Sequence, residues 1–286
     1  MKVGFIDSGG GMRGIYTSGI YDCLMDSGVE PEYCIGVSAG SANLITYIAG
    51  QRGRCYSFYA EYAFEKDYMS LRNFKRKGSY IDLNYVYSGI SDSTGKNPLD
   101  FSAACKSPCR FTAVATDALT GKPHYFNKED MQQDDYSVLK ASCAIPIVCK
   151  PIVIENTPYF DGGMSDPLPI DKAFADGCDK IVVCLTKPRD YVKKGLPHEL
   201  GGLMQQYPNA ARALLKMHER YNAGMKRLLE LEKEGKAFIA CPDNCCGVST
   251  LTRDRRKLDL LYQKGYDDGR RIEEFINKCK ISPERG

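Results

Sequence analysis

Gly36-Val37-Ser38-Ala39-Gly40 lies between a short apolar run, Tyr33 to Val37, and a helix-like stretch, Ser41 to Ala49. A serine with glycine two residues to either side, on a turn joining a strand directly to a helix, leaves its surroundings little freedom. A Cβ at Gly36 or Gly40 would strike neighbouring backbone. The turn pushes the serine oxygen clear of the sheet, and the following helix aims its positive end at any anion formed there. This is the nucleophile-elbow pattern, and it makes Ser38 a candidate nucleophile.

A second strand–turn–helix unit lies upstream. Lys2 to Asp7 reads as a short buried strand, Ser8-Gly9-Gly10-Gly11-Met12-Arg13-Gly14 follows it, and Ile15 to Met25 is amphipathic with Gly28 as a stop. A glycine run leaves N–H groups unpaired and lets a ligand approach, which suits a phosphate or a tetrahedral acyl intermediate. On the residues alone the loop reads as an oxyanion loop, a nucleotide loop or a structural turn. Gly9, Gly11 and Gly14 match the dinucleotide spacing, yet the second strand ends in Val37-Ser38, with no acidic residue for a ribose. No Gly-Lys-Ser/Thr follows for a triphosphate. The oxyanion reading is favoured.

Strand and helix alternate through the first half, which predicts βαβ units and a largely parallel sheet covered on both faces. Arg110 to Asp117 and Ile181 to Leu185 read as further strands. Ile152-Val153-Ile154 and Tyr159-Phe160 read as a hairpin closing on Asp161-Gly162-Gly163, with Asp166-Pro167-Leu168-Pro169 beyond. Asp-Gly is also a common turn signal, so Asp161 is either a turn residue or a carboxylate carried on a loop. Residues 186–208 read as an irregular connection, Ala210 to Glu234 as one helix stopped at Gly235, Ala237 to Ala240 as a short strand, and Arg253 to Lys278 as a helix.

These pieces together resemble the patatin-like phospholipase family, in its bacterial form. The Gly9 to Gly14 loop is similar to the family's oxyanion motif, Gly36 to Gly40 to its elbow, and Asp161-Gly162-Gly163 to its Asp-Gly-Gly/Ala signature. Ala141-Ser142-Cys143-Ala144-Ile145-Pro146 is similar to the Ala-Ser-x-Ala-x-Pro segment lining its active site. The four motifs occur in the family's order within residues 1–190. One departure is Ser8, where the family usually has Asp or Glu before the glycines.

The resemblance implies a three-layer α/β/α fold, with residues 1–190 as catalytic domain and 191–286 as a mainly helical extension packed on it. It implies a serine–aspartate dyad: Ser38 attacks an ester carbonyl, and Asp161 takes the proton. Oxyanion donors would come from Gly9, Gly10, Gly11, Met12 and Arg13, with Gly14, Gly36, Gly40, Gly162 and Gly163 as motif glycines. The implied substrate is a lipid or other fatty-acyl ester, with no metal or organic cofactor. An acyltransferase or thioesterase on the same acyl-enzyme, and a lipid-binding or regulatory protein without turnover, are the alternatives.

A triad would need a late loop histidine. Of three histidines, His218 falls in the Ala210 to Leu231 helical stretch and His124 in a hairpin strand. That leaves His198, beside Pro197, as the alternative base.

Composition adds bounds. The chain has 286 residues, 43% hydrophobic and 26% charged, with a net charge of +3 that argues against nucleic acid. Met1-Lys2 leads straight into the first strand, so no signal peptide is expected and the cytoplasm is the expected compartment. Thirteen cysteines, an odd count, read mostly as reduced thiols. Cys241, Cys245 and Cys246 cluster, but without Cys-x-x-Cys pairs or a nearby histidine no metal is expected.

Aromatics crowd residues 56–87: Tyr56, Phe58, Tyr59, Tyr62, Phe64, Tyr68, Phe74, Tyr80, Tyr85 and Tyr87, with Lys75, Arg76 and Lys77 among them. They read as a packed helical layer, or as an acyl-pocket wall that meets a membrane surface peripherally. The basic stretches Arg72 to Lys77 and Arg253 to Lys257 otherwise read as solvated surface.

Overall fold

A computed structural model describes residues 1–281 of the chain. Its strands are β1 (Val3–Asp7), β2 (Tyr33–Val37), β3 (Arg110–Asp117), β4 (Pro123–Asn127), β5 (Ile152–Ile154), β6 (Thr157–Asp161), β7 (Lys180–Cys184) and β8 (Ala237–Ala240). The helices of the first half are α1 (Ile15–Asp26), α2 (Ala39–Ile48), α3 (Arg54–Ala60), α4 (Leu71–Lys77), α5 (Phe101–Lys106) and α6 (Ser137–Ser142). Those of the second half are α7 (Ile170–Ala175), α8 (Glu199–Gly202), α9 (Pro208–Leu215), α10 (Met217–Lys233) and α11 (Arg255–Ile281).

The sheet runs β5-β6-β3-β2-β1-β7-β8, with β4 also paired to β3. The pairs β1–β2, β1–β7, β2–β3 and β7–β8 are parallel, and those at the β4, β5 and β6 side are antiparallel. β1 and β2 are buried along their whole length, as strands covered on both faces must be. Side chains alternate between two cores. Phe5, Cys34, Ala113 and Val182 face α1, α2 and α11, whereas Ile6, Ile35, Val114 and Val183 face α7 and α10. The expected three layers are present.

β3 is the template on which the rest is registered. Its Val114 pairs with Val37 of β2 on one edge and with Tyr125 of β4 on the other. Its next residue, Ala115, pairs with His124 of β4 and with Asp161 of β6. Since β4 keeps one edge throughout, β6 takes over the edge that β2 has just left.

α11 lies along α1 at very short range. A Cβ on Gly265 would stand 1.8 Å from the Tyr16 carbonyl oxygen, and one on Gly19 2.2 Å from that of Tyr262. The groove is closed by Tyr16 donating to Asp268 (2.7 Å) and Tyr262 donating to Asp22 (2.8 Å).

The single helix expected from Ala210 to Glu234 is two helices, broken at Lys216. The break frees carbonyls at the end of α9, and side chains from α10 satisfy them. His218 Nδ1 bonds the Leu215 carbonyl at 2.9 Å, and Arg220 donates to the Ala213 carbonyl at 3.1 Å.

Candidate active site

Ser38 occupies the turn between β2 and α2 with φ 56° and ψ −133°, a conformation that a non-glycine residue holds only when its neighbours over-determine it. Three contacts do so. The Ser38 N–H donates to Ser142 Oγ at 3.0 Å, and its carbonyl accepts from the N–H (3.0 Å) and the hydroxyl (2.7 Å) of Ser41. The flanking glycines admit the turn: a Cβ on Gly36 would lie 2.4 Å from Ser41 Cα, and one on Gly40 2.5 Å from the Asp7 carbonyl oxygen. Ser142 ends α6, inside the Ala141 to Pro146 motif, so that segment holds the elbow in place.

Asp161 closes β6 and stands beside Ser38 at the same cavity. Gly163 donates to its Oδ1 at 2.8 Å, and Gly162 lets the chain pass the Val114 carbonyl, from which a Cβ would lie 2.2 Å away. Asp161 is buried, and burial pushes its pKa up to about 6. The Ser38 hydroxyl, the Gly163 N–H and the Lys193 ammonium pull it back down.

The glycine loop narrows the expected donor set. The Gly9 N–H is taken by Asp7 Oδ1 (2.9 Å) and the Met12 N–H by the Thr250 carbonyl (3.0 Å), so these two anchor the loop. Among the described residues nothing accepts from the N–H of Gly10 or Gly11, and both residues line the cavity. Arg13 contributes its side chain instead, donating to Thr250 Oγ1 at 3.1 Å, while Gly14 packs under Tyr59. Asp7, one residue before Ser8, supplies the carboxylate that holds the loop. Its Oδ2 accepts from Tyr21 (3.0 Å), and burial raises its pKa to about 6. The Ser8 hydroxyl bonds the Cys184 carbonyl (3.2 Å) on β7.

Two cavities meet at Ser38. One, about 90 Å³, is lined by Ala42, Phe58, Tyr59, Tyr68, Met69, Tyr87 and their neighbours, so the aromatic stretch walls an apolar slot. The other, about 230 Å³, contains Asp161, the glycine loop and residues from after β7. His124, His198 and His218 line neither. Cys245 bonds the Thr186 carbonyl (3.6 Å), and among the described residues no group of three or more His, Cys, Asp or Glu side chains is placed to hold a metal.

Sequence reasoning missed Ser142's particular role, the anchor at Thr250, and Lys187, Lys193, Tyr191 and Tyr221 of the second cavity. The motif containing Ser142 does not say which group its hydroxyl meets, and no local pattern signals the others, because each acts across a long stretch of chain. Arg13 and Thr250 are 237 residues apart.

Comparison with known proteins places this arrangement in context. The family model described as Patatin-like phospholipase matches residues 8–174, and one described as Domain of unknown function (DUF6363) matches residues 207–279. The chain is 30% identical over 192 residues to the Escherichia coli (strain K12) "Uncharacterized protein YjjU", covering 65% of this chain and 52% of that protein. It is 26% identical over 162 residues to the Mycobacterium tuberculosis (strain H37Rv) "Uncharacterized NTE family protein Rv1063c", covering 56% and 42%. The chain thus spans about half the length of the curated relatives it matches. VipD from Legionella pneumophila, a solved structure, aligns at 12% identity with a TM-score of 0.47, over 95% of this chain and 66% of that one.

Proposed function

The chain belongs to the patatin-like phospholipase family, and from that premise we propose that it is a serine hydrolase cleaving fatty-acyl esters of lipids through Ser38 and Asp161. The observation that carries the reading is the convergence of Ser38, Asp161 and the N–H groups of Gly10 and Gly11 on one cavity.

The chemistry follows from the groups. Ser38 Oγ attacks the ester carbonyl while its proton passes to the Asp161 carboxylate. The oxyanion accepts from Gly10 and Gly11, donors worth roughly 3–4 kcal/mol of barrier each in comparable sites. Collapse breaks the bond to the alcohol oxygen, which leaves with the proton from Asp161. Water then attacks the acyl-enzyme, gives its proton to the same carboxylate, and releases the fatty acid with Ser38 restored. Desolvation suits Asp161 to this task, since a carboxylate of ordinary pKa is a poor base for a hydroxyl.

The apolar slot is the acyl site of this reading, and its mouth bears on membrane contact. Met69 and Ile81, which line the slot, pair as a bridge, and α4 is the outer excursion between them. α4 exposes Leu71 (72%) and Phe74 (47%) beside Arg72, Lys75, Arg76 and Lys77, a combination suited to an anionic lipid surface. Among the described residues no helix is long and apolar enough to cross a membrane.

A fluorophosphonate probe tests the nucleophile. Labelling should map to Ser38 and disappear in Ser38→Ala together with turnover of p-nitrophenyl acyl esters. Undiminished labelling of that variant would place the nucleophile elsewhere.

A further inference from the structure

The second cavity at Ser38 differs from the first in charge. Arg13 from the glycine loop and Lys187 and Lys193 from the segment after β7 line it, with Asp161 as its one carboxylate among the described residues. Among the described residues none of these three cations enters an ion pair. Arg13 Nε is buried with no hydrogen-bond partner. A buried donor without an acceptor is rare and calls for a partner, a water or an ion among them.

The cations are held in place. The Lys193 backbone is clamped by Asn222 of α10, its N–H donating to Oδ1 and its carbonyl accepting from Nδ2, both at 2.9 Å. Its ammonium lies 5.4 Å from the Tyr221 ring centre, and that of Lys187 lies 4.7 Å from Tyr191. The two rings pack edge to face at 6.0 Å, which ties both lysines to one aromatic wall. Burial first, then the charges of Arg13 and Lys187, lower the pKa of Lys193 against the opposing pull of Asp161. Like charges therefore face one another across a cavity with too little negative charge to balance them, an unfavourable arrangement that an anion relieves.

We propose that this cavity receives the alcohol half of the ester and that this alcohol carries a phosphate. The substrate class is then fatty-acyl esters of phosphorylated alcohols, of the acyl glycerol phosphate type, in preference to esters with zwitterionic or uncharged headgroups. The inference rests on the hydrolase reading of Ser38 and Asp161. A phosphate offers several oxygens to several donors, which matches one guanidinium from the glycine loop and two ammonium groups from the segment after β7. A choline or ethanolamine group would bring a further cation to the same cavity.

Two arms test it separately. In the first, Ser38→Ala protein is titrated calorimetrically with glycerol 3-phosphate, inorganic phosphate and glycerol, so no turnover is needed. Glycerol 3-phosphate should bind about tenfold tighter than inorganic phosphate, glycerol should not bind, and adding Lys187→Gln should weaken glycerol 3-phosphate about tenfold. In the second, wild-type kcat/KM is compared for oleoyl esters of glycerol 3-phosphate, glycerophosphocholine and glycerol. The phosphate ester should lead by about tenfold or more, and Lys187→Gln should shrink that ratio toward unity.

Equal binding of inorganic phosphate and glycerol 3-phosphate would make this a free-anion site and overturn the proposal. So would a wild type that prefers the choline or uncharged ester. If no ester is turned over while Ser38→Ala still binds glycerol 3-phosphate as described, the phosphate pocket stands and the hydrolase reading falls.

Discussion

Asp161 ends its strand one residue along β3 from the point where the strand leading into Ser38 ends: Val37 pairs with Val114 of β3, and Asp161 pairs with the adjoining Ala115. Two strands running in opposite senses thus meet end to end along one edge of a third. The serine and the carboxylate, 123 positions apart by their numbering, are neighbours because β3 registers both. No loop has to be positioned independently to bring them together.

A carboxylate base should show in the pH profile. Burial pushes the Asp161 pKa up to about 6, and in the proposed mechanism its charged form is the base. kcat/KM for a soluble p-nitrophenyl ester should therefore rise through about pH 6 along a single ionisation and stay level to about pH 8. Lys193→Gln removes a charge that lowers this pKa, so the rise should move to higher pH. An unmoved profile in that variant would argue against Asp161 as the titrating base.

The same burial makes Asp161 unfavourable for stability near neutrality. Its pKa is raised from an ordinary 3.8 to about 6, so between those values the fold binds a proton that the unfolded chain does not. Acidification across that window favours the fold, and raising the pH through about 6 destabilises it, by about 3 kcal/mol at pH 7. Asp161→Asn should melt higher than wild type at pH 7, by on the order of 5–10 °C, with the gain fading as the pH falls from about 6 to about 4. Equal or lower melting at pH 7 would mean that the carboxylate is well stabilised in its charged form.

Ser142 should behave as a positioning residue. Ser142→Ala leaves the buried N–H of Ser38 without its acceptor, which costs about 1–3 kcal/mol of stability. The elbow should also loosen, lowering kcat by about tenfold with little change in KM. Ser142→Thr, which keeps the hydroxyl, should recover most of the loss. Native kcat in the alanine variant would show that the elbow holds its geometry without this bond.

Contact with a membrane surface should depend on α4. Leu71 and Phe74 are exposed, and changing both to serine should abolish flotation with anionic vesicles while the soluble ester is still turned over. Retained flotation in that double variant would locate the contact elsewhere on the molecule.

Much of the site was legible because its parts are local. Glycines flanking Ser38 and the run at Gly9 to Gly11 report close backbone approach within a few residues, and alternating strands and helices place both turns at the same end of a parallel sheet. Asp161 was less distinct, since Asp-Gly also marks an ordinary turn, and only the co-occurring motifs singled it out. Donor assignments inside the loop were not legible at all. Whether the Met12 N–H is free depends on Thr250, which arrives from the far end of the chain. Nor was the break at Lys216, where both flanking segments read as helix and the freed carbonyls are satisfied by the side chains of His218 and Arg220 just beyond it. The cationic cavity was invisible for the same reason: Arg13, Lys187 and Lys193 carry no shared pattern in sequence.

The most direct measurement is turnover of a p-nitrophenyl acyl ester by wild type, Asp161→Asn and His198→Ala under one set of conditions. With Asp161 as the base, Asp161→Asn should lose about 10³-fold or more in kcat while remaining folded, and His198→Ala should match wild type. Near-native turnover in Asp161→Asn, with loss in His198→Ala, would contradict the account.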